Sequence, residues 1–122
     1  MTTALHAEAG TGAADRDEAF LSGIRRIAEE VAGPNAGDVD RDARFPVEAL
    51  DALRELRALS ALIPQELGGG GVSFGAVATA CFELGRRCGA SAMVFAMHQI
   101  QVFTLVRHHA GSAWRTIVAT WI

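Results

Sequence analysis

One glycine-rich segment of the chain could bind a phosphate group. Four consecutive glycines, Gly68 to Gly71, follow Pro64-Gln65-Glu66-Leu67, and successive glycine N–H groups can surround the oxygens of an anion. A P-loop also needs Lys and then Ser or Thr after its last glycine, and this chain contains no Lys. A dinucleotide-binding turn needs a strand before its first glycine, and none is predicted here. The four glycines therefore predict an interhelix turn that sets the direction of the next helix.

The histidines give no metal-binding pattern. They are His6, His98, His108 and His109, and no two have the i, i+4 spacing that places two imidazoles on one helical face. His98 interrupts an apolar segment, and we expect it to complete a structural hydrogen bond or line a pocket rather than act in catalysis. His108 and His109 lie at a predicted helix C-terminus, where the helix dipole favours a cation.

No set of a nucleophile and a base can be argued from the spacing of the remaining residues. Glu66 and Glu83 are the acids in the middle of the chain, and neither has a partner in the sequence. Cys81 and Cys88 are two helical turns apart, roughly 10 Å, which is too far for a disulfide. They are predicted to be two small core residues. The sequence by itself predicts neither a catalytic residue nor a metal site.

The last predicted helix carries the best candidate for a binding surface. Four of its residues fall at i, i+4, i+7 and i+11 and share one face: Ala92, Ala96, Gln99 and Phe103. Met93 and Ile100 border that face. Because its first members are small, the face predicts either one wall of a long apolar slot or close packing against another helix, and both interpretations stay open.

A first helix is predicted from four apolar residues on one helical face: Phe20, Ile24, Ile27 and Val31. Asp15 is the predicted cap at its start, and Gly33-Pro34 is the predicted end. The polar segment from Asn35 to Arg44 then predicts a solvated loop.

Three more helices are predicted along the rest of the chain. The second begins at Pro46, whose missing N–H is harmless in a first turn, and runs to Leu59. The third is capped by Ser73. Its predicted buried stripe is Val77, Cys81, Leu84 and Cys88. Gly89 ends it, and Ser91 is the predicted cap of the fourth. Since no strand is predicted, the fold class is all-α, an up-and-down bundle of four to five helices.

The composition limits the partners. Half of the 122 residues are hydrophobic, which predicts a surface that docks on further domains or on a second subunit. A net charge of −3 and scattered arginines argue against nucleic acid. The most apolar segment, Ala92 to Val106, is short and interrupted by polar residues, so we expect no membrane span. The first fourteen residues lack a signal-peptide core, and we expect the cytoplasm.

Four short motifs follow one another along the middle of the chain. They are Phe45-Pro46-x-Glu48-x-Leu50, Leu59 to Ile63, Pro64-x-Glu66-x-Gly68-Gly69, and Glu83-Leu84-Gly85-Arg86-x-Cys88-Gly89-x-Ser91. Their order and spacing resemble the N-terminal helical domain of acyl-CoA dehydrogenases, and the resemblance runs from about Ala19 to Gly111. It implies a helical domain of that family over 15–111 and leaves an atypical apolar tail over 112–122. The Ala, Gly and Thr content of residues 1–14 predicts a disordered leader.

The resemblance implies a function for the complete protein. Members of that family have a helical, a β and a second helical domain, bind FAD, and oxidise acyl-CoA thioesters between Cα and Cβ. Their N-terminal domain forms one wall of the acyl-chain cavity. By resemblance, the residues that contact the acyl chain are Ala92, Met93, Ala96, Gln99 and Ile100. The implied partners are an acyl-CoA substrate and either further copies of the chain or further domains.

The chain also departs from the family pattern. It ends where the β domain should begin, so the principal flavin-binding segments and the usual catalytic glutamate are missing, and no residue here is assigned to catalysis or to FAD. After Gly111-Ser112 the family continues with a charged helix, whereas Trp114 to Ile122 is apolar. We therefore expect a truncated domain that neither holds FAD nor catalyses the reaction by itself.

Two other hypotheses stay open. Reduced-flavin monooxygenases and nitroalkane oxidases share this architecture, and His98 in a flavin-facing position would suit oxygen chemistry. A non-catalytic helical module that associates through its apolar surface would explain the high apolar fraction and the segment Trp114–Ile122.

Overall fold

The structure, a computed structural model, describes residues 2–108, with side chains from residue 12 onward. Its α-helices are α1 (Thr2–Ile27), α2 (Gly33–Arg41), α3 (Val47–Glu55), α4 (Phe74–Gly85) and α5 (Gly89–His108). A π-helical turn, Ala28–Ala32, joins α1 to α2, and two 3-10 turns, Ala58–Ser60 and Gln65–Leu67, lie between α3 and α4. Residues 2–108 contain no strand, so the predicted all-α class is confirmed.

The core lies where α1, α3, α4 and α5 meet. Ile24, Leu53, Leu84 and Phe95 are each at most 1% exposed, and burying a side chain of this size is worth about 1.5–3 kcal/mol. Helix α4 packs against both α1 and α5. Phe74 at the start of α4 meets Phe103 near the end of α5, so these two helices run antiparallel.

The first helix does not end at Gly33-Pro34, and the predicted loop from Asn35 to Arg44 is wrong. The Gly33 N–H donates to the Ala28 carbonyl, five residues back, which is the bonding of a π turn. Pro34 then falls in the first turn of α2, where its missing N–H is tolerated. The side-chain amide of Asn35 donates to the Val31 carbonyl at 2.9 Å. The chain therefore stays helical up to Arg41.

The start of α1 also differs from the prediction. The helix begins at Thr2, so Asp15 lies inside it and does not cap it. Residues 2–14 include five alanines, the strongest helix former, and this explains helical backbone where a disordered leader is predicted. The division at residues 14 and 15 stays a prediction, and the tail over 112–122 lies outside the described residues.

The remaining helix ends agree in part with the prediction. Ser73 caps α4 as predicted, because its hydroxyl accepts from the Ala76 N–H at 3.1 Å. Ser91 is not a cap, since α5 begins at Gly89 and Ser91 is buried inside it. Helix α3 ends at Glu55 rather than Leu59, because Arg57 adopts a left-handed conformation with φ of 59°.

Ser73 also ties α4 to α1. Its N–H and its hydroxyl both donate to the Asp17 carboxylate, at 2.9 and 2.6 Å. Charge-assisted bonds of this kind are short and about twice as strong as neutral ones. The start of α4 is therefore fixed relative to α1, and the turn before α4 is held at both ends.

Candidate functional site

The glycine segment forms a turn whose amide groups are already hydrogen-bonded. Each of the four N–H groups donates to a main-chain carbonyl: Gly68 to Gln65 at 2.9 Å, Gly69 to Pro64 at 3.0 Å, Gly70 to Ser60 at 3.1 Å and Gly71 to Ile63 at 2.9 Å. These donors cannot also bind a phosphate. The segment is an interhelix turn, as the sequence predicts.

Close packing explains why this turn contains glycine. A Cβ atom on Gly69 would clash with the main chain and the Cβ atom of Ile63. Gly68 and Gly71 have φ values of 89° and 61°, which side chains disfavour. The turn can therefore fold back on residues 60–63 only with glycine at these positions.

His98 and Gln99, both on α5, hold the start of the α3–α4 connection against this helix. The His98 Nε2 atom lies 2.9 Å from the Leu59 carbonyl oxygen, which can only accept, so Nε2 carries the proton. The Gln99 Nε2 atom donates to the Ala58 carbonyl at 2.9 Å, and Gln99 is 3% exposed. His98 makes the structural hydrogen bond that the sequence analysis expects of it.

An apolar groove of about 500 Å³ lies between α4 and α5. Its lining residues are Leu62, Phe74, Val77, Ala78, Cys81, Ala96, Gln99, Ile100, Phe103 and Thr104. The rings of Phe74 and Phe103 close one end, with centroids 5.2 Å apart. The alanines Ala78 and Ala96 leave space between the helices, and this space is the groove.

The groove brings together three of the five residues predicted to contact an acyl chain. Ala96, Gln99 and Ile100 line it. Ala92 lies outside the groove and packs against the core near Gly85. Met93 is 62% exposed and lies on the neighbouring side of α5.

Sequence reasoning missed the α4 side of the groove. Cys81 belongs to the predicted buried stripe, but it is half-buried and lines the groove. Phe74, the first residue of α4, is 62% exposed. Its position directly after the Ser73 cap is the sequence signal that could have placed it at the end of the groove.

The groove carries no charge. Among its lining residues, all of them described, Cys81 is the one titratable group, and burial raises the pKa of its thiol, so the thiol is neutral at pH 7. The Thr104 hydroxyl donates to the Ile100 carbonyl at 2.9 Å, and the Gln99 amide nitrogen donates to Ala58. Such a surface suits an apolar ligand.

The glycine turn and the groove do not present the phosphate donors of a dinucleotide site. A dinucleotide cofactor needs free donors for its phosphates, but the glycine turn has none and the groove is apolar. Glu66 and Glu83, the acids in the middle of the chain, do not supply a catalytic base to the groove either. Glu83 pairs with Arg25 and Arg86, and neither Glu83 nor Glu66 lines the groove.

Helix α5 is 20 residues long, and its length and apolar composition would suffice to cross a membrane. A core helix of a soluble protein can pass the same test. Four of its residues are buried against the rest of the bundle: Ser91, Phe95, Gln99 and Val102.

The fold and the groove define an all-α domain with an apolar surface for a ligand or for a second domain. Residues 14–115 match the family model described as the acyl-CoA dehydrogenase N-terminal domain. The chain therefore belongs to the acyl-CoA dehydrogenase family, a family of flavoproteins that includes FAD-dependent oxidoreductases. The predicted resemblance is confirmed.

Curated relatives carry several different activities in their names. The chain is 27% identical over 105 residues to a 3-sulfinopropanoyl-CoA desulfinase of Paraburkholderia xenovorans. This match covers 86% of the chain and 27% of that protein. It is 34% identical over 92 residues to the probable acyl-CoA dehydrogenase FadE25 of Mycobacterium tuberculosis, and this match covers 75% of the chain and 23% of that protein. It is 34% identical over 86 residues to an acryloyl-CoA reductase (NADH) of Anaerotignum propionicum, and this match covers 70% of the chain and 22% of that protein.

The chain spans about a quarter of the length of the curated relatives that it matches. No solved structure matches it. The names of these three relatives share a CoA thioester and differ in the reaction.

Proposed function

We propose that this chain supplies the N-terminal domain of a flavin-dependent acyl-CoA dehydrogenase-like oxidoreductase and forms one wall of its acyl-chain cavity. The observation that supports this function is the uncharged groove between α4 and α5, in which Ala96, Gln99 and Ile100 meet. The complete enzyme would remove hydrogen from Cα and Cβ of an acyl-CoA thioester.

The groove residues would act by excluding water and giving the acyl chain its shape. Ala96 is small, so the chain can approach the α5 backbone closely. Ile100 and Phe103 would contact its methylene groups, and each buried CH₂ is worth about 0.8 kcal/mol. Ala92 and Met93 would contact the chain only beyond the groove, where another surface covers α5.

The isolated chain would be inactive and would not hold FAD. Neither the groove nor the glycine turn offers a base or free donors for phosphate groups. FAD, the acyl-CoA substrate and the catalytic base would come together only with further domains, in a homo-oligomeric enzyme of the cytoplasm that binds neither nucleic acid nor membrane.

The other two hypotheses receive no separate support from the described residues. The monooxygenase and nitroalkane oxidase hypothesis rests on His98, whose Nε2 proton is held by the Leu59 carbonyl. The interaction-module hypothesis rests on the high apolar fraction and on the segment Trp114–Ile122. An acyl-chain wall accounts for exposed apolar side chains equally well. The following experiment separates it from the dehydrogenase proposal.

A chimera tests the groove. Residues 15–111 replace the matching region of the FadE25 protein of Mycobacterium tuberculosis, and Ala96→Phe then fills the groove. We expect kcat/KM for a long-chain acyl-CoA to fall about tenfold, or 1.4 kcal/mol, relative to a short-chain one. Ala90→Phe is the matched control, because Ala90 is exposed on the same helix and lies outside the groove. Equal chain-length profiles for the two variants would refute the proposed wall.

A further inference from the structure

Helices α4 and α5 together present an exposed apolar face. The two helices lie side by side from Gly85, which packs against Ala92, to Phe74, which meets Phe103. Their large exposed apolar side chains are each between 50% and 64% exposed: Phe74, Phe82, Met93, Met97 and Ile100. These five residues and the groove between the helices are called the α4–α5 face below. Apolar side chains clustered in this way mark an interaction surface.

The α4–α5 face carries no charge. Every exposed residue of α4, and of α5 as far as Val106, is uncharged. Glu83 is the one acid of these two helices, and it is only 20% exposed and pairs with Arg25 and Arg86. Helices α2 and α3, in contrast, carry exposed ion pairs. Depletion of charge distinguishes the core of a protein interface from ordinary surface.

The face is large enough for a dimer. A large apolar side chain has an area of about 200 Å², so the five side chains at these exposures present roughly 600 Å² per copy. The alanine, glycine and threonine residues between them add to this area. A standard interface buries about 800 Å² per partner. Two such faces therefore approach the size of a specific interface.

The shape of the face suits a second copy of the same chain. A two-fold contact requires that one surface match itself. This face has both parts of such a contact: a groove of about 500 Å³, and the exposed side chains of Met97 and Ile100. Methionine is flexible enough to fill an irregular apolar space. Two pairs of helices joined in this way form a four-helix arrangement, which buries the apolar surface of all four.

We propose that two copies of this chain associate through their α4–α5 faces, with Met97 and Ile100 of each protomer in the groove of its partner. This inference does not rest on the acyl-chain wall, because the face would associate in the same way in a dehydrogenase domain and in an interaction module. In a complete enzyme further domains would compete for the face, so the inference concerns the chain of 122 residues.

Sedimentation equilibrium of the full chain tests the association. We expect twice the chain mass of 12.9 kDa, with a shift towards the monomer on dilution. Met97→Asp places a charge on the face and should raise the dissociation constant of the dimer about thirtyfold, as the loss of an interface hot spot does. Val47→Asp is the matched control, because Val47 is 47% exposed but lies on α3, and it should leave the constant unchanged. A monomer at every concentration, or equal effects of the two variants, would overturn the proposal.

Hydroxyl-radical footprinting locates the contact without any substitution. Oxidation of Phe82 and Met97 should slow several-fold between the dilute, monomeric chain and the concentrated, dimeric one. Phe45 is the internal control, because it is 53% exposed outside the face and its oxidation should not depend on concentration. A dimer that protects Phe45 but not Phe82 would refute the proposed contact. A monomer whose face resists oxidation at every dilution would also refute it, since the face would then be covered within one chain.

The two measurements remain decisive together. Far-UV circular dichroism verifies that both Asp variants keep the helical content of the unchanged chain. Footprinting uses the unchanged chain, so its result holds even where Met97→Asp fails to fold. The acyl-CoA chimera reports chain-length preference, whereas these experiments report mass and protection from oxidation, so either proposal can fail without the other.

Discussion

The Leu59 carbonyl shows how far single residues could be predicted. Sequence reasoning expects His98 to make a structural hydrogen bond because a polar ring interrupts an apolar helix. It does not give the acceptor, since 39 residues separate His98 from Leu59. Gln99 was predicted only as a groove residue, and its bond to Ala58 across 41 residues depends on how the helices pack. The residue type is local information, but the partner is not.

Gln99→Glu should strongly destabilise the protein. The Gln99 nitrogen faces the Ala58 and Leu59 carbonyls at 2.9 and 3.5 Å, and a carboxylate there loses the donor and buries a charge. We expect the free energy of unfolding to fall by about 3–5 kcal/mol at neutral pH, measured by urea denaturation. Gln101→Glu, exposed two residues farther along α5, should change it by less than about 0.5 kcal/mol. An equal decrease in the free energy of unfolding for the two variants would show that the hydrogen bond from Gln99 to Ala58 does not stabilise the protein.

The sequence predicts the type of each secondary-structure element better than the residues at which the elements begin and end. Helical periodicity correctly indicates the bundle, and the Ser73 cap is confirmed. Gly33-Pro34 is a strong local stop signal that the structure overrides by one π turn. Such a turn depends on the packing of Ala28 and Ala32 in the core, which no local signal reveals. The end of α3 was likewise misplaced because the left-handed Arg57 carries no glycine signal.

The glycine turn can be tested as an element by Gly69→Ala. A Cβ atom at Gly69 would clash with Ile63, and overpacking of this kind costs about 1–3 kcal/mol. Gly37→Ala is the control: the space around Gly37 within α2 is open, so alanine should stabilise the helix by about 0.5–1 kcal/mol. Thermal unfolding of both variants should therefore show melting temperatures that move in opposite directions. A shift of the same sign would contradict the close contact between Gly69 and Ile63.

At the scale of the whole molecule, the all-α class follows from helical periodicity and the lack of a predicted strand. The family follows from the order of four motifs, although each motif is weak alone. Only the α5 wall of the groove could be predicted from the sequence, because its residues share one face of a single helix. The α4 wall could not, because it depends on the antiparallel packing of α4 against α5. Ala92 and Met93 share the sequence pattern of Ala96 but lie outside the groove.

The isolated chain should contain no flavin. Purified after expression with excess FAD, it should lack a flavin absorption spectrum and should not reduce an electron acceptor with any acyl-CoA. The reason is that the groove and the glycine turn offer neither a base nor free donors for phosphate groups. The full-length FadE25 protein, prepared in the same way, serves as the positive control. A yellow isolated chain would contradict this expectation.

The glycine turn has a consequence for amide hydrogen exchange. Gly68 to Val72 lie outside any helix or strand, yet all five N–H groups donate to main-chain carbonyls at 2.9–3.1 Å. The turn is anchored by Ser73 on Asp17 and backed by residues held by His98 and Gln99. Exchange requires these bonds to open, and opening here would disturb α1, α4 and α5 together. A glycine-rich segment that looks like the loosest part of the chain should therefore exchange its hydrogens as slowly as the helices around it.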